Sequence, residues 1–180
     1  MPLLRKSSKQ LSMVKGLTKI SKIPRGSLIF IDSNIFTYFL LRDSIYFNTT
    51  TQFLKSVESG EFIGFINNIV ISEVLFNYVK AEICRENNIK PKGYIPIVKK
   101  KPESIGDIDI SEVEDIFTIT NLNLVNAPIN DLSSLREAHR KSLLSNDAFH
   151  LLTMNYLNIE NIVTNDSDFE RIEGITVWKP

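Results

Sequence analysis

The chain has 180 residues, 43% apolar and 23% charged, the ordinary balance of a soluble globular protein and enough length for one domain with a full core. Its 21 basic and 21 acidic residues cancel overall but not locally: Arg5, Lys6, Lys9, Lys15, Lys19, Lys22 and Arg25 give residues 1–26 a charge of +7, leaving 14 basic against 21 acidic residues in 27–180. The single cysteine, Cys84, excludes an intrachain disulfide and a thiol-rich zinc site, and no apolar run approaches the ~18 residues of a membrane span.

The basic arm at 1–26 suits a protein that touches a polyanion, and equally a disordered, solubilising leader. Leu11, Val14, Leu17 and Ile20 fall at the spacing of a short amphipathic or transit-type helix, which Gly16 weakens; the expected location is the cytoplasm. Pro24 and Gly26 punctuate the arm, so the folded domain is expected over 27–180. Leu28–Ile31 reads as a buried strand. Helices are predicted from Asn34 to Leu41 and from Asn48 to Ser59, the second closed by Gly60, before a strand at Phe62–Ile66. Asn67 or Asn68 then caps a longer helix that runs through Glu73 to about Arg85, with Cys84 as a small buried residue. Residues 87–110 hold Pro91, Gly93, Pro96, Pro102, Gly106 and a set of lysines, and read as a loop or insertion. Beyond it come a helix at 111–120, a strand at 122–126, helices at 131–143 and from Asn146, and strands at 161–163 and 175–177. Strands alternating with helices predict a three-layer α/β/α sandwich around a mostly parallel central sheet.

Four acids stand where strands hand over to helices. Asp32 ends the apolar run Leu28-Ile29-Phe30-Ile31, and Asp166 follows Ile162-Val163-Thr164-Asn165. Glu73 lies in the otherwise apolar stretch Ile69-Val70-Ile71-Ser72-Glu73-Val74-Leu75-Phe76, and Asp147 opens a helix in Ser145-Asn146-Asp147-Ala148. Taken singly, Asp147 is a good helix start and Asp166 ordinary turn chemistry. Asp32 and Glu73 are harder to explain by packing, since a buried carboxylate needs a partner. Acids gathered at the carboxyl ends of parallel strands need a counter-charge, and a hard divalent cation, Mg²⁺ or Mn²⁺, is the usual one.

In these motifs, Ile31-Asp32-Ser33-Asn34-Ile35-Phe36, Ser72-Glu73-Val74, Asn146-Asp147-Ala148 and Thr164-Asn165-Asp166-Ser167-Asp168-Phe169, the chain resembles the PIN-domain family of metal-dependent ribonucleases, which includes VapC toxins of toxin–antitoxin pairs. The resemblance covers about 27–180. It implies that Asp32, Glu73, Asp147 and Asp166 form the catalytic set, with Asn34 and Thr164 as accompanying polar positions and Asp168 as an auxiliary acid. It further implies an RNA substrate, a homodimer and, for a toxin, a small antitoxin protein. The arm and the 87–110 segment exceed a minimal toxin.

The chemistry implied is hydrolysis of RNA phosphodiester bonds with Asp32, Asp147 and Asp166 as metal ligands and Glu73 supporting them or orienting the nucleophile. Contact with RNA would come from the arm, from Lys80 and Arg85, and from Lys90 to Lys101, including Lys99, Lys100 and Lys101, although lysines also simply solvate a loop. His139 and His150, the latter three residues after Asp147 on the same helical side, could ligate a transition metal or shuttle a proton, but read more simply as locally satisfied side chains. A haloacid-dehalogenase phosphatase would need an aspartate where Asn34 stands, the spacing does not supply a receiver's acid set, and the set is too small for a two-metal DNA nuclease. The serious rival is a non-catalytic RNA-binding or scaffold module of the same fold.

Overall fold

The computed structural model describes residues 18–127 and 132–180. Among them, six strands form a single sheet: β1 (Thr18–Lys19), β2 (Leu28–Ile31), β3 (Ile63–Asn67), β4 (Leu122–Val125), β5 (Asn161–Val163) and β6 (Thr176–Lys179). Their order is β1-β6-β5-β2-β3-β4, and every pairing is parallel. The helices are α1 (Ser33–Leu40), α2 (Phe47–Glu58), α3 (Asn68–Glu86), α4 (Tyr94–Lys100), α5 (Ser111–Ile116), α6 (Leu132–Arg140) and α7 (Ser145–Leu157). None among the described residues is long and apolar enough to cross a membrane.

β2 is central because it can be buried on both faces: Ile29, Phe30 and Ile31 are all fully inaccessible. Alternate side chains point to opposite faces of a strand. Phe30 therefore meets the His150 ring of α7 at 5.3 Å, while Ile31 shares the other side with Val57 of α2. On that side Gly64 of β3 is a close approach: a Cβ there would sit 2.9 Å from the tip of Ile31 and 3.1 Å from both Leu122 and Val57. Helices thus cover the sheet from both faces, giving the three-layer α/β/α arrangement predicted from the alternation of strands and helices.

The chain first steps from β2 outward through β3 to β4, then crosses back to β5 beside β2 and continues outward through β6. The direction of crossover reverses between β2 and β5, so the crevice at the carboxyl ends of these two strands is the topological switch point. Asp32 follows β2 and Asp166 lies just beyond β5.

Most predicted elements fall within a few residues of the observed ones. Gly60, at φ 78°, ends the second helix, and Cys84 is buried. Three elements differ from the expectation. The domain begins before Ser27: Thr18–Lys19 pairs with β6, and Ile20 and Ile23, 6% and 7% exposed, enter the core, so the charge of the arm masked a packed end. Residues 1–17 of the arm lie outside the described residues. Residues 87–110 are more regular than a loop. They hold α4 between two 3₁₀ turns, because Pro91, Pro96 and Pro102 stand at first-turn positions where proline needs no hydrogen-bond donor. Tyr94 and Ile108 anchor the segment in the core. The helix predicted at 111–120 ends at Ile116, and the start predicted at Asp131 lies outside the described residues, α6 being described from Leu132 to Arg140.

A chain beginning at Ser27 should lose about 3–6 kcal/mol of stability, roughly 1.5–3 kcal/mol for each of Ile20 and Ile23. Urea unfolding of the shortened and full chains checks this; coincident transition midpoints would contradict it.

Candidate metal centre

Asp32 is built into the start of α1. Its backbone is extended and its Oδ1 caps the helix by accepting from the Ser33 N–H at 2.6 Å. Its Oδ2 accepts from the Thr164 hydroxyl and the Asn34 side-chain amide. Thr164, fully buried beyond β5, also accepts from Asn34 Nδ2 at 2.9 Å and from the Asp166 backbone N–H at 2.9 Å. Asn34 Oδ1 accepts from the Asn165 N–H at 3.2 Å. One polar lattice therefore joins the end of β2 to the turn after β5. Burial pushes the Asp32 carboxyl above its ordinary range, and the neighbouring Glu73 charge adds to the push.

α3 brings Glu73 to the same end of the sheet, after Asn67 caps it through a 3.1 Å bond from the Val70 N–H to Oδ1. Asn146 Nδ2 donates to Glu73 Oε1 at 2.6 Å, and His150 Nε2 lies 3.4 Å from Oε2. Burial alone would raise the Glu73 carboxyl, but the bonds from His150 and Asn146 outweigh it and hold the group below its ordinary value. Asp147, in the first turn of α7, is half-buried and pushed up to about 6, chiefly by burial, then by the charges of Asp166, Asp32 and Glu73.

Ligand-capable atoms of Asp147, Asp166 and Asp168 lie within 4.8 Å of one another, and so do those of Asp32, Glu73 and His150. The four acids named from sequence thus fall in two groups, linked by the charges of Asp32 and Glu73 on Asp147, and Asn34 and Thr164 bond Asp32 of the first. Asp168 is nearby but engaged, its Oδ1 accepting from Arg171 at 2.8 Å, which lowers its pKa. Among the described residues no lysine or arginine forms an ion pair with Asp32, Glu73, Asp147 or Asp166; Lys179 reaches only the Asp166 carbonyl and the Glu170 carboxylate. A carboxylate-rich set with no lysine or arginine ion-paired to these four acids among the described residues fits a hard divalent cation.

The basic residues are placed elsewhere. Lys80 sits over the half-exposed Phe76 ring at 5.7 Å. Arg85, twelve residues and roughly 18 Å along α3 from Glu73, pairs with Glu82 beside Arg42 and Glu112, at the other end of the helix. Lys99, Lys100 and Lys101 are exposed at the end of α4, where cations also suit the helix dipole. Sequence reasoning weighed His150 on its three-residue spacing from Asp147 and set it down as locally satisfied; it read Asn67 only as a helix cap and Asn146 only as part of the Asp147 motif, and missed their bonds to His150 and Glu73.

Comparison with known proteins bears on the family and the fold. The PIN-domain family model matches residues 29–175. "Ribonuclease VapC2" of Methanocaldococcus jannaschii is 34% identical over 150 residues, covering 83% of this chain and 91% of that protein. "Ribonuclease VapC6" of the same organism is 25% identical over 154 residues, covering 85% and 97%. Among solved structures, VapBC2 of Rickettsia felis bound to a promoter DNA fragment superposes with a TM-score of 0.50 at 18% identity, covering 84% of this chain and 98% of that one, which bears on the fold alone.

With its pKa at about 6 in the folded chain against an ordinary 3.8, Asp147 binds its proton more tightly when folded. That contribution to stability is complete below about pH 4 and is lost as the pH rises through 6, a difference of roughly 1–2 kcal/mol once solvent screening of a half-exposed group is allowed for. In EDTA, Asp147→Asn should therefore be the more stable protein at pH 7.5 by about that amount, with the two converging near pH 4. Thermal melts across this range check it; a variant no more stable than the parent at pH 7.5 would contradict it.

Proposed function

The chain belongs to the PIN-domain family, and from that membership and the acid cluster we propose that it is a toxin-type endoribonuclease that hydrolyses RNA phosphodiester bonds with Mg²⁺ or Mn²⁺. The observation that supports the metal requirement is the gathering of Asp32 and Glu73 in one acid group and of Asp147 and Asp166 in another at the switch point, with no lysine or arginine among the described residues ion-paired to these four. The ribonuclease names of two relatives that align over most of both chains support the substrate class.

In this reading Asp32, Asp147 and Asp166 hold the cation. When bound, it supplies charge stabilisation at the phosphoryl oxygens and lowers the pKa of water at the site. Thr164 and Asn34 hold Asp32 in place through the bonds to Oδ2. Glu73, held below its ordinary pKa, is ionised at neutral pH and serves to orient the attacking water or accept its proton. Asp168, tied to Arg171, assists Asp166 from outside the ligand set. The turn after Asp166 is further fixed by the Asp168 N–H, which donates to Asp166 Oδ1 at 2.8 Å. No protein nucleophile is needed.

Because the crevice repels phosphate until a cation binds, RNA must first be attracted by positive surface: Lys99, Lys100 and Lys101, Lys80, the basic arm and, at the far end of α3, Arg85. The toxin reading carries two further proposals, a homodimer and a small antitoxin protein that blocks the acid crevice.

Cleavage of labelled structured RNA by the purified protein tests the reading. Mg²⁺ or Mn²⁺ should support cutting, while EDTA, Asp32→Asn or Asp166→Asn should each lower the rate by at least about 100-fold, the loss of roughly 2.7 kcal/mol of transition-state stabilisation. Replacing Lys99, Lys100 and Lys101 together by alanine should weaken RNA binding and reduce its log–log salt slope by about 2, at ~0.7 per phosphate contact. RNA binding that survives EDTA, with no cutting by the parent, would instead favour a binding module.

A further inference from the structure

His150 is the buried titratable side chain at this site to which the proposed chemistry gives no role. It is 1% exposed, packed on Phe30, with Nε2 3.4 Å from Glu73 Oε2 and 3.9 Å from Asp32 Oδ1. Its other nitrogen, Nδ1, lies 3.2 Å from Asn67 Nδ2. We propose that His150 is a positioning residue for Glu73, held by Asn67 in the tautomer whose hydrogen is on Nε2.

The direction of the hydrogen bonds decides the tautomer. Asn67 Oδ1 accepts from the Val70 N–H at 3.1 Å, so the amide cannot be reversed without setting an NH₂ group against a backbone donor. Asn67 Nδ2 therefore faces inward. One of its hydrogens goes to Thr153 Oγ1 at 2.9 Å, whose own hydrogen is given to the Phe149 carbonyl at 2.8 Å. The second is aimed at His150 Nδ1, which must accept it. A neutral ring then carries its hydrogen on Nε2 and donates toward Glu73. A hydrogen on Nδ1 would oppose the Asn67 donor and turn the Nε2 lone pair toward two carboxylates.

Two consequences follow for the site. His150 is not a metal ligand, because the nitrogen that faces the acids carries the hydrogen. Glu73 accepts from Asn146 on Oε1 and from His150 on Oε2, and is anchored through His150 and Asn67 to the start of α3 and to Thr153 of α7. Partners of this kind orient the groups around a metal and tune them. The kinetic consequence rests on the ribonuclease reading; the tautomer and the effect on metal binding do not.

The experiment uses the full chain with ¹⁵N-labelled histidine and long-range ¹H–¹⁵N correlation at neutral pH, His150 being assigned by the signal lost in His150→Gln. The expected result is a protonated Nε2 and an unprotonated Nδ1. Asn67→Asp keeps a cap for Val70 but offers Nδ1 an acceptor, and should move the hydrogen to Nδ1. His150→Leu should weaken Mn²⁺ binding by calorimetry, and reduce kcat at near-constant KM, by about 10–100-fold, whereas His150→Gln, which restores an N–H donor, should recover to within about fivefold of the parent. A hydrogen on Nδ1 in the parent, a doubly protonated ring, or parental Mn²⁺ affinity in His150→Leu would each overturn the proposal. A parent that shows the Nε2–H ring and the His150-dependent Mn²⁺ affinity but cuts no RNA would overturn the ribonuclease reading and leave the positioning role standing.

Discussion

The rest of the site depends on one unfavourable placement, the burial of the Asp32 carboxylate where β2 ends beside β5. An ionised group removed from water is costly unless hydrogen bonds replace its hydration. The fold meets this by joining two segments that are 130 residues apart in sequence: Asn34 and Thr164 bond each other and both hold Asp32 Oδ2, while the Ser33 N–H holds Oδ1. The bonds that satisfy Asp32 also tie β2 to the turn that carries Asp166, so the support of one acid positions another.

That support leaves a surplus of charge. Asp147 is raised to about 6 by burial and by the other acids, and Asp32 is raised by burial, whereas Glu73 is kept low by side-chain donors, His150 and Asn146 above all. A site in which some acids are stressed and another is carefully solvated by the protein has an uneven distribution of roles. The stressed ones gain most from a cation, and the satisfied one is fixed in place beside it. Asp168 falls outside this division because Arg171 already neutralises it. The starts of α1, α3 and α7 all lie at this end of the sheet, and their dipoles relieve part of the surplus without supplying a full counter-charge.

Much of this was legible in the chain. The uninterrupted apolar run before Asp32 gave the buried central strand, and an acid directly after it had no packing role, so the two ends of the sheet could be told apart from sequence. Asp32 and Glu73 fall in one acid group and Asp147 and Asp166 in another. What escaped was whatever depended on direction rather than on residue type. Prolines 91, 96 and 102 read as breakers, yet each sits where a helical turn begins. Lys19 and Lys22 drew attention to charge and hid the burial of Ile20 and Ile23 between and beside them. His150 looked locally satisfied, which it is, but through a tautomer lock that only the coordinates of Asn67 and Thr153 make readable. Lys80, Lys99, Lys100, Lys101 and Arg85 were grouped by charge alone, and Arg85 proves to lie at the end of α3 remote from the acids.

The central claim is that the end of this sheet is built to bind a divalent cation. Titration of Mn²⁺ into the protein at pH 6 by calorimetry, repeated in buffers of different ionisation enthalpy, tests it most directly. Binding must ionise carboxyls that hold protons in the free protein. The account predicts saturable binding with proton release, and loss of both in Asp32→Asn and Asp147→Asn. Absence of saturable binding, or binding that both variants retain unchanged, would contradict it.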